Sequence, residues 1–289
     1  MLKRAIRWGL RTVRQLMHEE PEDPAYLLDS EFVSEHTNYR LLQLLKKQPD
    51  LRPHFAWGLL QAAQLAKSLG IPRISAIEFG VAGGNGLVSL EKTASEVEQL
   101  FGIEIDVFGF DTGAGLPPPK DYRDLPNLYR PAGFPMDQEK LRRRLKKARL
   151  ILGDVGQTIG GFIASGPAPV GFVSIDVDLY TSTMAAFKLF DAGTDVLMPR
   201  VYCYLDDILG ETFSEFTGER LAVSEFNAAH DMRKISPIFG LRYFLRGHHQ
   251  TEAWPDQMFI AHLFDHQLYG AYEAPTKDSG GWTELPPTT

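Results

Sequence analysis

The chain has 289 residues, 44% of them hydrophobic and 23% charged, enough to bury an enzyme-sized core as one large domain or two small ones. Its formal charge of −7 at pH 7 argues against general nucleic-acid binding, which presents a basic surface. A single cysteine, Cys203, excludes an internal disulfide, and no stretch reaches the apolar length that spans a bilayer.

Residues 1–17 set Lys3, Arg4, Arg7, Arg11 and Arg14 among Leu2, Ile6, Leu10, Val13, Leu16 and Met17. These charges leave no apolar segment for a secretory signal, so the cytoplasm is the compartment expected. The spacing predicts a basic amphipathic helix carrying Trp8. It reads either as a helix packed on the domain or on a second subunit of a homo-oligomer, or as one making peripheral contact with an anionic membrane. An acidic, proline-containing linker follows at 19–29. Helical spacing recurs at 31–47 and 55–69, with Gly70 and Pro72 ending the second helix. Residues 1–72 thus form a helical extension ahead of an α/β core at 73–265.

In the core, the apolar run 74–79 carries Glu78 and breaks into Gly80, Gly83, Gly84 and Gly86 before a helix at 87–100. Strand, glycine turn and helix in this order bring backbone close to a nucleotide-like ligand. The spacing matches neither Gly-x-Gly-x-x-Gly nor a P-loop, and a plain tight turn is the alternative. Further apolar runs end in acids: 106–112 with Asp111, 149–155 with Gly153 and Asp154, 170–178 with Asp176 and Asp178, and 200–208 with Asp206 and Asp207. Open parallel sheets bind ligands beyond the carboxyl ends of their strands, so these acids are expected around one crevice. Cys203, inside the fifth run, reads as a buried, inert thiol.

The segment 113–135, rich in proline and glycine and holding Tyr122 and Tyr129, follows the second strand as a long loop placed to close over a ligand. A helix is expected at 136–148, with Arg142, Arg143, Arg144, Lys146 and Lys147 on a solvated face or facing a phosphate-bearing or membrane partner. A helix at 216–232 and strands at 234–245 and 257–264 close the core. Residues 266–289 form a C-terminal tail, with Pro, Gly and Thr abundant from 273.

Five segments carry a family resemblance: Glu78-Phe-Gly-Val-Ala-Gly-Gly-Asn-Gly86, Phe110-Asp-Thr-Gly-Ala-Gly-Leu-Pro117, Gly153-Asp154, Asp176-Val-Asp-Leu-Tyr-Thr-Ser-Thr183 and Asp206-Asp207. Over roughly residues 74–235 the chain resembles class I S-adenosylmethionine-dependent methyltransferases, and among them the macrocin O-methyltransferase family of sugar-modifying enzymes. The fourth segment, with the acidic pair downstream, is the most specific. The resemblance implies a Rossmann-like, mostly parallel α/β sheet with helices on both faces and an antiparallel C-terminal hairpin whose last strand lies beside the fifth. It implies S-adenosyl-L-methionine as cofactor. Backbone around Gly80, Gly83, Gly84 and Gly86 would approach its amino-acid end and sugar, Glu78 its amino group, Asp111 its ribose hydroxyls and Asp154 its adenine. Turn capping is the alternative for Asp111 and Asp154.

Asp176, Asp178, Asp206 and Asp207 would repel one another in a partly dry site unless a cation or protons neutralised them. Oxygen-only ligands favour a hard ion such as Mg2+ over zinc. The family pattern gives Asp206 and Asp207 with either Asp176 or Asp178 as metal ligands, the other being a catalytic base; helix capping, or pairing with Arg200 or Lys188, is the rival account. Tyr180 and His230 are further base candidates. Ile208 departs from the family, where an aromatic residue is common, and leaves sugar specificity open. The expected activity is metal-assisted O-methylation of a hydroxyl on a sugar or other small-molecule natural product. A metal-independent methyltransferase of another substrate class, or a noncatalytic binding module, are the alternatives.

Overall fold

The computed structural model describes residues 33–210, 214–245 and 247–271. The expected basic helix at 1–17, the linker at 19–29 and the tail beyond 271 lie outside them. Five strands run parallel: β1 (Arg73–Phe79), β2 (Glu104–Asp111), β3 (Arg149–Leu152), β4 (Val170–Ile175) and β5 (Leu197–Leu205). β6 (Arg233–Pro237) and β7 (Met258–Leu263) pair antiparallel, and β7 is also antiparallel to β5. The sheet order is β3-β2-β1-β4-β5-β7-β6. Every residue of β4, and every residue of β1 after Arg73, is buried. Such continuous apolar runs mark strands covered on both faces.

The helices are α1 (Val33–Lys47), α2 (Pro53–Ser68), α3 (Asn85–Phe101), α4 (Gln138–Arg144), α5 (Val155–Ala164), α6 (Tyr180–Phe187), α7 (Gly218–Ala229) and the short α8 (Leu241–Phe244). Side-chain alternation along β2 separates two layers. A Cβ on Gly109 would meet Leu87 of α3 at 2.6 Å, whereas Phe108 and Phe110 pack edge-on against Phe162 of α5. α3 and α5 therefore cover opposite faces. α2 lies with α3, its Phe55 against Phe172 of β4, and α5, α6 and α7 stand side by side on the other face. None of the helices among the described residues is long and apolar enough to cross a membrane.

Two segments differ from their sequence reading. The helix expected over 136–148 spans only Gln138–Arg144. Asp137 starts it by accepting from the Lys140 amide at 3.0 Å. Buried Glu91 ends it by drawing the amides of Lys146, Lys147 and Ala148 onto its carboxylate. The strand expected over 234–245 stops at Pro237, which has no N–H for the ladder; Gly240, at φ 78°, then turns the chain into α8. Cys203 is fully buried in β5, and burial pushes its thiol up to about 12.

Strand order reverses between β1 and β4, and their carboxyl ends open a crevice there. The Gly80 amide donates to the Phe110 carbonyl and the Asp176 amide to that of Phe79, each at 2.9 Å. Gly80 takes φ 86°, and a Cβ on it would lie 1.7 Å from the Asp176 carbonyl oxygen. Gly80→Ala is expected to cost about 2 kcal/mol of stability. Gly83→Ala, whose Cβ meets nothing within 4 Å, should change it by less than about 0.5 kcal/mol. Urea denaturation of the two variants checks the contrast.

Candidate functional site

A cavity of about 870 Å³ opens at this crevice, a size suited to a cofactor. Glu78, Gly80, Gly83, Gly84, Gly86, Asp111, Asp154, Asp176, Asp178 and Asp206 all line it; Asp207 does not.

The glycine loop is held by Asp111 at the end of β2. Its Oδ2 accepts from the amides of Val81 and Ala82, both at 2.9 Å, and its Oδ1 from Gly113 at 2.6 Å. Turn capping, the alternative reading of Asp111, is thus present. Asp154 is the reverse case: it stands at the N-terminus of α5 without a side-chain capping bond and faces the cavity. Leu141 of α4 packs beneath Gly84, whose Cβ would lie 2.2 Å away. Arg144 braces the loop through the Gly83 carbonyl at 3.3 Å and Asn85 Oδ1 at 2.8 Å. That places one arginine of the basic helix against the glycine turn.

Glu78 pairs in register with Gly109 of β2 and Ser174 of β4, so its side chain points to the α2–α3 face. It is 1% exposed, and its Oε2 is buried without a hydrogen-bond partner. A Cβ on Gly86 would strike its Oε1 at 1.8 Å. Burial drives the carboxyl well above its usual range; Asp176 and Asp111 add to this and Arg52 opposes it.

The acids after β4 and β5 share one edge. Asp176 is pushed up to about 8 by burial and then by Asp206, Asp207 and Asp178. Asp178 rises to about 7 by burial and then by Asp207 and Asp206, and its backbone is held at φ 61°. Asp207 rises to about 6 by burial and then by Asp206. It accepts from the Tyr129 hydroxyl on Oδ1 at 3.1 Å and from the Asp178 amide on Oδ2 at 3.0 Å. Tyr204 donates to Asp206 at 2.6 Å. Glu219, at the start of α7, is a fifth carboxylate: fully buried, it is driven up by burial and by Asp207, Asp176 and Asp206. The Asp207 amide is near it but outside hydrogen-bond geometry.

The donor chemistry of this edge suits a hard ion, but its spacing does not. Among the described residues no three of these acids bring ligand oxygens within 4.8 Å of one another. That spacing is met by His248, His249 and Glu252, outside the cavity lining. Of the other base candidates, Tyr180 donates its hydroxyl to Glu225 at 2.5 Å. His230 lines the cavity, but its Nδ1 bonds the Phe226 carbonyl and its Nε2 bonds Asp191, each at 2.8 Å. Ile208 is buried in a turn of 3-10 helix and does not reach the cavity.

The loop 113–135 roofs the cavity with Gly115, Leu116, Pro117, Lys120 and Phe134. Buried Asp124 fastens it, accepting from the amides of Lys120 and Thr181 at 2.8 Å and from the Thr181 hydroxyl at 3.1 Å. Arg123 lies 4.5 Å from the Tyr180 ring centre.

Two contributors escaped the sequence reading. Arg52, just ahead of α2, lines the cavity beside Glu78; in sequence it is one cation before a proline, 26 residues from Glu78. Glu219 looks like an ordinary acid in the first turn of a helix.

The sheet, its switch point and its glycine turn together form a Rossmann-like, mostly parallel α/β fold with an antiparallel C-terminal hairpin. Among solved structures, the chain is similar to the calicheamicin methyltransferase CalS11 at 21% identity, covering 77% of this chain and 96% of that one with a TM-score of 0.45. It is similar to the O-methyltransferase NovP at 17% identity, covering 61% and 72% with a TM-score of 0.47. A Bacillus cereus O-methyltransferase in complex with SAH shares 14% identity over 86% of this chain and 94% of that one, with a TM-score of 0.39. No family model matches the sequence, and no curated protein matches it. At these identities and TM-scores the likeness carries no activity, and the fold rests on the sheet itself.

The raised carboxyls fix a pH dependence. Folded Asp176 keeps a proton that the unfolded chain releases near 3.8, so its contribution to stability falls as pH rises from about 4 towards 8. Asp176→Asn is expected to flatten the decline in thermal midpoint over that window. Parallel melting curves for wild type and variant would refute this.

Proposed function

We propose that this protein transfers the methyl group of S-adenosylmethionine to a hydroxyl of a small molecule, a sugar or a similar polyol. The observation that carries the reading is Glu78: a buried, half-unsatisfied carboxylate at the foot of a glycine turn, where an ammonium group would supply both charge and donors. Gly83 leaves open space where any side chain would intrude. Asp154 faces the cavity uncommitted, which supports adenine recognition. Asp111 holds the turn and retains one acceptor site, on Oδ1, for a ribose hydroxyl. The sugar acceptor rests on the motif resemblance. The cofactor domain is taken as 73–265, with Arg52 of the preceding extension reaching into its cavity.

When bound, the cofactor supplies an electrophilic methyl on a sulfonium. Asp176 and Asp178 sit beside the loop with carboxyls raised to about 8 and 7, a range in which a carboxylate is a useful general base near neutral pH. One of them accepts the proton of the acceptor hydroxyl as its oxygen attacks. The roof of 113–135 covers part of the cleft, and a bound ligand beneath it would displace water there.

The noncatalytic alternative is disfavoured by the buried cost of so many acids at one edge. Isothermal titration with S-adenosylmethionine is expected to give one site, lost in Gly83→Val while that variant keeps the wild-type unfolding midpoint. Retained affinity in the folded variant would overturn the cofactor assignment.

A divalent ion such as Mg2+ is the finer part of the reading, supported by the mutual repulsion of Asp176, Asp178, Asp206 and Asp207. Its ligands would be Asp206, Asp207 and one of Asp176 or Asp178, drawn closer together than they stand here. Calorimetry should then show magnesium binding that Asp207→Asn removes without weakening cofactor binding. Methyl transfer undiminished in excess chelator would assign proton removal to the aspartates alone.

A further inference from the structure

Arg52 stands outside every motif of the nucleotide-binding core, yet its guanidinium reaches the same point as Glu78. A Cβ on Gly86 would lie 1.8 Å from Glu78 Oε1 and 3.2 Å from Arg52 Nη1. The two groups, of opposite sign when ionised, are neighbours without being an ion pair, and Arg52 makes none with any described residue. Its base is fixed: the Arg52 amide donates to Ser89 Oγ of α3 at 3.2 Å, Pro53 begins α2, and the guanidinium lies 5.3 Å from the ring centre of buried Phe55. Both residues line the cavity.

Two groups of opposite sign at one spot, neither with an ion-pair partner among the described residues, restrict what fits there. An ammonium alone would satisfy Glu78 and leave the guanidinium facing a further cation. A carboxylate alone would pair with Arg52 and repel Glu78. A zwitterion with amino and carboxylate groups on one carbon satisfies both, and a guanidinium fork binds a carboxylate through two parallel hydrogen bonds. We propose that Arg52 and Glu78 form a clamp for an α-amino-acid zwitterion, in which Arg52 takes the carboxylate and Glu78 the ammonium. Arg52 thereby makes the site select ligands with an intact methionine-type end over their truncated adenosine analogues. The clamp rests on the cofactor reading above and adds to it a residue supplied by the helical extension. The plainer account makes Arg52 a remote counter-charge for Glu78 and Asp176 that steadies the fold and touches no ligand.

Calorimetric titration with two probes separates these accounts. S-adenosylhomocysteine carries the zwitterion; 5′-methylthioadenosine keeps the adenosine and the sulfur but lacks it. Wild type should prefer S-adenosylhomocysteine. Arg52→Gln should lose about 10- to 100-fold in affinity for it, the range of a charged hydrogen-bonded pair, while binding 5′-methylthioadenosine within about twofold of wild type. Arg52→Lys, which keeps the charge but not the fork, should fall between. A urea midpoint for each variant shows that it is folded. Equal losses for both probes, or no loss for S-adenosylhomocysteine, would overturn the clamp. If wild type bound neither probe, the cofactor reading itself would fall and the clamp with it.

Discussion

Asp176, Asp178, Asp206, Asp207 and Glu219 place five carboxylates at one edge of the sheet, and much of the surrounding structure bears that load. Fully ionised, such a group would be costly at low dielectric. Protons are retained instead: Asp176, Asp178 and Asp207 are held well above the ordinary carboxylate range. Tyr129 and Tyr204 supply hydroxyl donors, and the Asp178 amide supplies another. Arg52 is the cation whose charge reaches both Glu78 and Asp176. A folded chain accepts this burden where function needs groups poised to exchange a proton or meet a cation.

The backbone shows the same bias. Positive φ at non-glycine residues occurs at Ala82 in the glycine turn, at Leu125, Ala132 and Phe134 in the roof, and at Asp178 beyond β4. Each lies in a segment bordering the cavity, where unfavourable backbone geometry is held in place by its surroundings. The roof is tied through Asp124 and Arg123 to α6 and through Tyr129 to Asp207. Its position is thus coupled to the state of the acidic edge: whatever draws Asp207 away also loosens Tyr129.

Strands β1 to β5 and the acids at their ends were legible because each strand is a short apolar run closed by a polar residue, a pattern that survives without tertiary context. The antiparallel hairpin and the placing of β7 beside β5 came from the resemblance, since two apolar runs do not declare their neighbours. The helix bounds at 136–148 were not legible, because a side chain more than fifty residues away captures the amides that would have continued the helix. Arg52 was hidden for a related reason. Its partner Glu78 is adjacent only after α2 has packed onto the sheet, and no local pattern records that contact.

Glu91 has a wider reach than its own contacts. By taking the amides of residues 146–148 it fixes where α4 ends, and so how Leu141 and Arg144 meet the glycine turn. Arg142 and Arg143 are exposed on the same short helix and touch nothing that the turn requires. Evolutionary freedom along this helix should therefore be uneven. Its outward charges can drift with the surface needs of the organism, while Leu141, Arg144 and the remote acid at 91 change only together.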